Sequence, residues 1–246
     1  MRIDFFEEYP TAENLEKARA IAFPSTIYLA SHSLNDFTKY RAQLKVINST
    51  LEAAYWPILA KSYWISAFSY PDEIETLRAE LAQHSGPLSI LLDLELPLLR
   101  PVLFLRNART FFRTKRLIRA LLERTDAIVA HTAEYPWTAS FLHPIARFLG
   151  IAYSEQRFRH QRILMWYSSM IPPVLRPLMR FICFHKKIVG LGTIATGVFG
   201  NEPRLSPEQL DRDIAFFRDM GITQAVIFRL GGLSGPYLAV VKKYAT

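Results

Sequence analysis

Short apolar runs alternate with longer amphipathic stretches along almost the whole chain. Runs of five to eight residues, rich in large apolar and β-branched side chains, predict strands at 3–8, 26–32, 55–60, 88–95, 127–131, 162–167, 187–193 and 225–229. Between them the apolar spacing lengthens to three and four residues, the period of a helix with one buried face. In the first such stretch Leu15, Ala18, Ile21 and Ala22 share a face, and Thr11 stands where a cap is needed. Further helices are predicted over 34–46, from Pro71 through Leu77 and Leu81, over 106–124, 138–149 and 174–184, and after Ser206. Ser206, Pro207 and Gln209 combine a capping hydroxyl, a proline at the first helical position and the reciprocal partner of a capping box. Gly221 supplies the stop.

Strands alternating with helices predict a parallel sheet. Eight such units in 246 residues, with no linker and no internal repeat, predict a single (β/α)8 TIM barrel domain over 1–246, because that fold takes about 250 residues. A doubly wound open sheet is the competing arrangement.

Composition supports a packed core: 50% of residues are hydrophobic and 13% aromatic, which excludes the disordered class. Cys183 is the only cysteine, so neither an intrachain disulfide nor a thiolate zinc site is available. The start of the chain turns acidic at Glu7 and Glu8, unlike a signal peptide, and no uninterrupted apolar run reaches about 18 residues. The expected address is the cytoplasm, with a peripheral membrane association left open. The net charge of +8 favours an anionic partner: nucleic acid, acidic lipid or a phosphorylated substrate.

The sharpest chemical signal is Leu91-Leu92-Asp93-Leu94-Glu95-Leu96. Alternation along a strand puts Asp93 and Glu95 on one face and Leu92, Leu94 and Leu96 on the other. The carboxylates then point into the barrel near its C-terminal end, where barrel active sites lie. Their proximity predicts that at least one pKa rises, which suits a general acid. The bland alternative is an ion pair with an arginine such as Arg229, at the end of the last strand. Asp93 and Glu95, with Met165-Trp166-Tyr167 on strand 6, resemble the chitinase-like glycoside hydrolases. That resemblance implies that Glu95 is the acid and that Asp93 orients an acetamido group of the substrate. The chain differs from that family in carrying Ile90 and Leu91 where its acidic run begins, and Arg229 where it has an aromatic residue.

Other groups gather at predicted strand ends. Glu7 and Glu8 follow one another, so one faces the pocket and the other outward. His32, His131 and Glu134 could bind a divalent ion or exchange protons, or make single structural hydrogen bonds. Their spacing matches no metal motif, so no cofactor is expected. Lys61 is a candidate anion contact. Tyr55, Trp56, Tyr63, Trp64, Tyr135, Trp137, Trp166 and Tyr167 could stack on sugar rings or pack beneath loops. Glycines at 197, 200, 231, 232 and 235 suit either an anion or tight turns. Glu202, across the barrel from strand 4, is a second carboxylate candidate. The expected site thus has Glu95 and Asp93 as catalytic residues, with Glu7, His32, Lys61, His131, Trp166, Tyr167, Glu202 and Arg229 as substrate contacts.

Residues 96–105 are almost wholly apolar, although a connection normally contacts water. The following stretch holds Arg106, Arg109, Arg113, Lys115, Arg116, Arg119 and Arg124 against one acid, Glu123, and 176–187 repeats the mixture. Such a surface suits a lid over the pocket, a homodimer contact or an anionic membrane. No nucleic-acid partner is expected, because no recognised binding module appears. Three functions follow in order. The first is a glycoside hydrolase-like enzyme acting on a carbohydrate or other small molecule. The second is a metal-dependent phosphodiesterase or phospholipase-like barrel using Glu7, His32, Asp93, Glu95 and His131 around a divalent ion. The third is a non-catalytic binding or membrane-associated barrel.

Overall fold

A computed structural model describes residues 1–123, 128–139, 141–158, 160–171 and 188–246. Eight parallel strands close into a barrel in sequence order, and β1 pairs with β8 to complete it. The strands are β1 Arg2–Glu7, β2 Thr26–Ser31, β3 Glu52–Pro57, β4 Leu88–Asp93, β5 Ile128–Glu134, β6 His160–Trp166, β7 Ile188–Gly192 and β8 Gln224–Phe228. Helices α1 Ala12–Glu16, α2 Leu34–Ile47, α3 Pro71–Gln83, α4 Val102–Arg106, α5 Phe111–Leu122, α6 His143–Leu149, α7 Pro207–Asp219 and α8 Gly235–Lys242 wrap the outside.

Alternation divides the apolar residues into two layers. Phe6, Tyr28, Ala54, Trp56, Leu91, Ile163, Met165, Val226 and Phe228 fill the barrel interior. Phe5, Ile27, Leu29, Tyr55, Leu92, Leu164, Val189 and Ile227 face the helices. Both faces of a barrel strand are buried, which is why the strands read as nearly continuous apolar runs.

Local chemistry sets the helix ends where the sequence placed them. The Thr11 hydroxyl accepts from the Asn14 N–H, and Ser206 and Gln209 form the full capping box. Gly221 takes a positive φ of 83° just after α7. The single helix expected over 106–124 is instead two, α4 and α5, separated by a turn. Buried Asn107 causes the break: its side-chain amide donates to the Phe68 carbonyl at 2.6 Å. The Phe68 ring then packs between Phe104 of the first helix and Phe111 of the second. The start of the stretch expected at 138–149 is a 3-10 turn, Pro136–Ala139, ahead of α6. The helix expected at 174–184, with Cys183 and the basic run 176–187, lies outside the described residues, as does Arg124. No helix among the described residues is long and apolar enough to cross a membrane.

Candidate active site

A cavity of about 320 Å³ opens at the C-terminal ends of the strands. Phe6, Leu91, Met165 and Phe228 form its floor, and Trp56, Trp64, Tyr135, Trp137, Tyr167 and Phe199 contribute aromatic walls. Four carboxyl groups reach it: Glu8, Asp93, Glu95 and Glu202. No basic side chain lines it among the described residues.

Strand parity places each group. Leu91 faces inward, so Asp93, two residues on, does the same at the last position of β4. Glu95 lies just past the strand end, where the Leu94 N–H still donates to the Ala133 carbonyl at 2.9 Å. Phe6 is an interior residue of β1, which turns Glu8 into the cavity and Glu7 outward. Glu202 sits in the connection after β7 and accepts from the Phe199 N–H at 2.9 Å.

Burial governs the charge state here. Removal from water pushes Glu8 up to about 7, opposed by a hydrogen bond from the Tyr63 hydroxyl and reinforced by the Glu202 charge. Burial and then the charge of Glu8 push Glu95 up to about 8. Asp93 is raised well above the carboxylate range by burial, then by Glu95 and Glu8, with only Trp56 favouring its charged form. At neutral pH the Asp93–Glu95 pair therefore holds at least one proton. Asp93 Oδ1, Glu8 Oε2 and Glu202 Oε2 are buried and have no hydrogen-bond partner among the described residues. Buried polar atoms are normally paired, and unpaired ones clustered around one cavity point to a ligand-binding function.

The remaining sequence candidates disperse. Glu7 is fully buried away from the cavity, paired with Arg229 at 3.0 Å and accepting from the N–H groups of Tyr9 at 2.9 Å and Gly231 at 2.6 Å. Arg229 also donates to the Thr196 carbonyl and lies over the Tyr9 ring, so it neutralises Glu7 and not the strand-4 pair. Trp166 packs edge-on against Phe217 of α7, on the outer side of the barrel, while its neighbour Tyr167 lines the cavity. His131 lies in the interior below the cavity, edge-on to Tyr28 and 3.2 Å from Gln161 Oε1. Burial lowers its pKa to about 4, which keeps the imidazole neutral. His32 is exposed on the rim with Nδ1 3.1 Å from the Ile58 carbonyl. Lys61 is exposed and paired with Asp72. Glu134 is buried in the helix layer, where Arg162, Thr132 and Thr138 all donate to it.

The register thus brings Glu8 into the cavity in place of Glu7. Asp4 was the available signal: a lone acid inside an apolar strand marks the interior face, and Glu8 shares its parity. Glu7, His32, Asp93, Glu95 and His131, the set considered for a divalent ion, do not converge. Among the described residues no three His, Cys, Asp or Glu side chains form a cluster able to hold a metal.

What the site can do follows from its parts. A carboxylic acid that keeps its proton near neutral pH can deliver it to a leaving oxygen. Aromatic faces can hold a ring with apolar faces and polar edges. Additional carboxyl groups on the far wall can accept hydrogen bonds from hydroxyls or activate water.

Among solved structures the chain superposes on the glycoside hydrolase domain of PgaB (BpsB) from Bordetella bronchiseptica. That match spans 100% of this chain and 98% of the other, with a TM-score of 0.59 at 12% identity. A GH18 chitinase from Pseudoalteromonas aurantia matches over 99% of this chain and 100% of its own, with a TM-score of 0.60 at 10% identity. Both likenesses are of fold, and the second carries the barrel of the family that Asp93 and Glu95 resemble. No protein-family model matches the chain, and no curated protein matches its sequence.

Proposed function

We propose that this barrel is a glycoside hydrolase in which Glu95 is the general acid and Asp93 its proton-sharing neighbour. The observation that carries this reading is the protonated carboxyl pair facing a cavity walled by aromatic rings. Glycosidic oxygen is a poor leaving group until protonated, and an acid with a pKa near 8 still holds its proton at neutral pH. Tyr135, Trp137 and Tyr167 stack against the sugar faces. Glu8 and Glu202 are the other carboxyl groups of the site, suited to accept hydrogen bonds from sugar hydroxyls or to activate the incoming water. The fold shared with a chitinase and with the PgaB hydrolase domain supports a carbohydrate as the substrate.

The test is turnover of fluorogenic aryl glycosides and chitin-derived oligosaccharides by the purified protein and by Glu95→Gln. The expected result is activity that Glu95→Gln lowers by roughly 10²–10⁴ in kcat while the melting temperature holds. Equal turnover by the two proteins on any glycoside that the wild type cleaves removes Glu95 from the acid role.

A further inference from the structure

Residues 96–122 contain seven Arg or Lys side chains and no acid. Arg113 is held by Glu75, and Lys115 is buried with its ammonium on the Phe148 carbonyl. Arg106, Arg109 and Arg116 are exposed and have no acidic partner among the described residues. Interleaved with them, Leu98, Leu99, Val102, Leu105 and Phe112 are exposed, Leu105 at 82% and Phe112 at 66%. This segment follows the C-terminal end of β4, and Leu98 lines the cavity, so the patch forms one lip of the mouth. Among the described residues the far end of the barrel shows no such patch: Val46, Val129 and Met220 are exposed there at the ends of separate elements.

From this pairing of unpartnered arginines with exposed aliphatic side chains, we infer that the lip docks on an anionic lipid bilayer. A bilayer satisfies both halves of the patch at once. Phosphate headgroups take the guanidinium groups, and the acyl boundary takes Leu105, Val102 and Phe112. A second copy of the chain, meeting the patch with its own, would set arginines against arginines. Nucleic acid would meet the charges but leave the aliphatic side chains in water. Docked this way, the cavity mouth faces the membrane, so that a substrate held at a lipid surface reaches Glu95. The docking itself does not depend on hydrolysis.

The experiment is co-sedimentation of the full chain with vesicles of phosphatidylcholine alone and of phosphatidylcholine with about one third phosphatidylglycerol. Binding to the anionic vesicles, absent from the neutral ones and reduced by high salt, is expected. Each arginine near such a surface changes affinity roughly fivefold, so Arg106→Glu with Arg109→Glu should weaken binding by more than about 25-fold. Leu105→Asp with Phe112→Asp attacks the other half of the patch and should abolish insertion while charge-driven contact weakens. Both pairs lie on exposed positions, and an unchanged melting temperature verifies the fold. Wild-type protein that ignores anionic vesicles overturns the proposal. So does wild-type affinity in both paired variants. A concentration-dependent dimer lost in Leu105→Asp assigns the patch to self-association instead, and a salt-sensitive shift of RNA or DNA without vesicle binding assigns it to nucleic acid. Vesicle binding is read without any glycoside, so its failure leaves the hydrolase reading standing, and the reverse.

Discussion

Asp4 and Asp93 are both buried carboxyl groups of barrel strands, at opposite ends of the barrel, and they are treated in opposite ways. Asp4 accepts from the Thr26 N–H at 2.6 Å, the Gln224 amide at 2.6 Å and the Arg2 guanidinium at 3.1 Å. Burial still raises its pKa, but four favourable contacts with three neighbours oppose the shift. Asp93 meets two further acids and has an oxygen with no partner. The first arrangement closes the base of the barrel. The second costs stability, because unpaired buried polar groups are penalised, and sites that carry function are where such costs persist. Its contacts within the fold account for the burial of Asp4, whereas Asp93 Oδ1 has no such partner among the described residues.

Substitutions can separate the two ends. The largest expected effect is catalytic and confined to the mouth: Glu95→Gln loses about three orders of magnitude in kcat, measured on whichever glycoside the wild type cleaves. Asp4→Ala should do the reverse. It leaves the Thr26 N–H and the Gln224 amide without their acceptor, and it should lower unfolding free energy by about 2 kcal/mol in urea titrations while KM and kcat stay near wild type. A loss of activity without loss of stability in Asp4→Ala would undo the contrast between the two ends.

Acidity gives the next effect. Glu8 and Glu95 are raised from 4.5 to about 7 and about 8 in the folded protein. The folded state therefore keeps protons that the unfolded chain releases. Their stabilising contribution is full below about pH 4.5 and is lost as pH rises through about 8. His131 works in the other sense, since its lowered pKa favours the fold above about 6.5 and penalises it as pH falls through about 4. Melting temperatures of wild type and of Glu8→Gln with Glu95→Gln, compared from about pH 5 to pH 8, isolate the carboxyl groups. The wild type should lose more stability across that range, and parallel curves would remove the raised pKa values. If Glu95 is the acid, kcat should also fall above about pH 8. The smallest effect is expected at Lys61→Ala, which removes an exposed ion pair away from the cavity and should change neither turnover nor melting temperature measurably.

The legible parts of this molecule share a physical cause. At the end of β4 the acids Asp93 and Glu95 alternate with Leu92, Leu94 and Leu96, so the inward direction of Asp93 can be read directly. The C-terminal halves of β6 and β8 are apolar on both faces, as a barrel under helices requires. Nothing local then distinguishes Trp166 from Tyr167, or tells whether Arg229 turns inward. On β1 the acids Glu7 and Glu8 both look like site residues, and only parity with Asp4 and Phe6 chooses between them. The capping sequences at Thr11 and Ser206 were readable because a cap is a contact between near neighbours. The break at Asn107 depends on Phe68, far away in sequence, and so carried no local mark.

Closure of the barrel has a consequence in time as well as space. Phe6 and Phe228 are paired across β1 and β8, more than two hundred residues apart along the chain. As the polypeptide leaves a ribosome, β1 can acquire β2 early, but its other edge stays bare until β8 has been made. Glu8, just past the end of β1, is synthesised first among the cavity's carboxyl groups, yet it waits for Phe228 before its pocket exists. The acidic chamber is therefore among the last features to mature, and a chain halted before β8 would present two open strand edges ready to pair with the wrong neighbour.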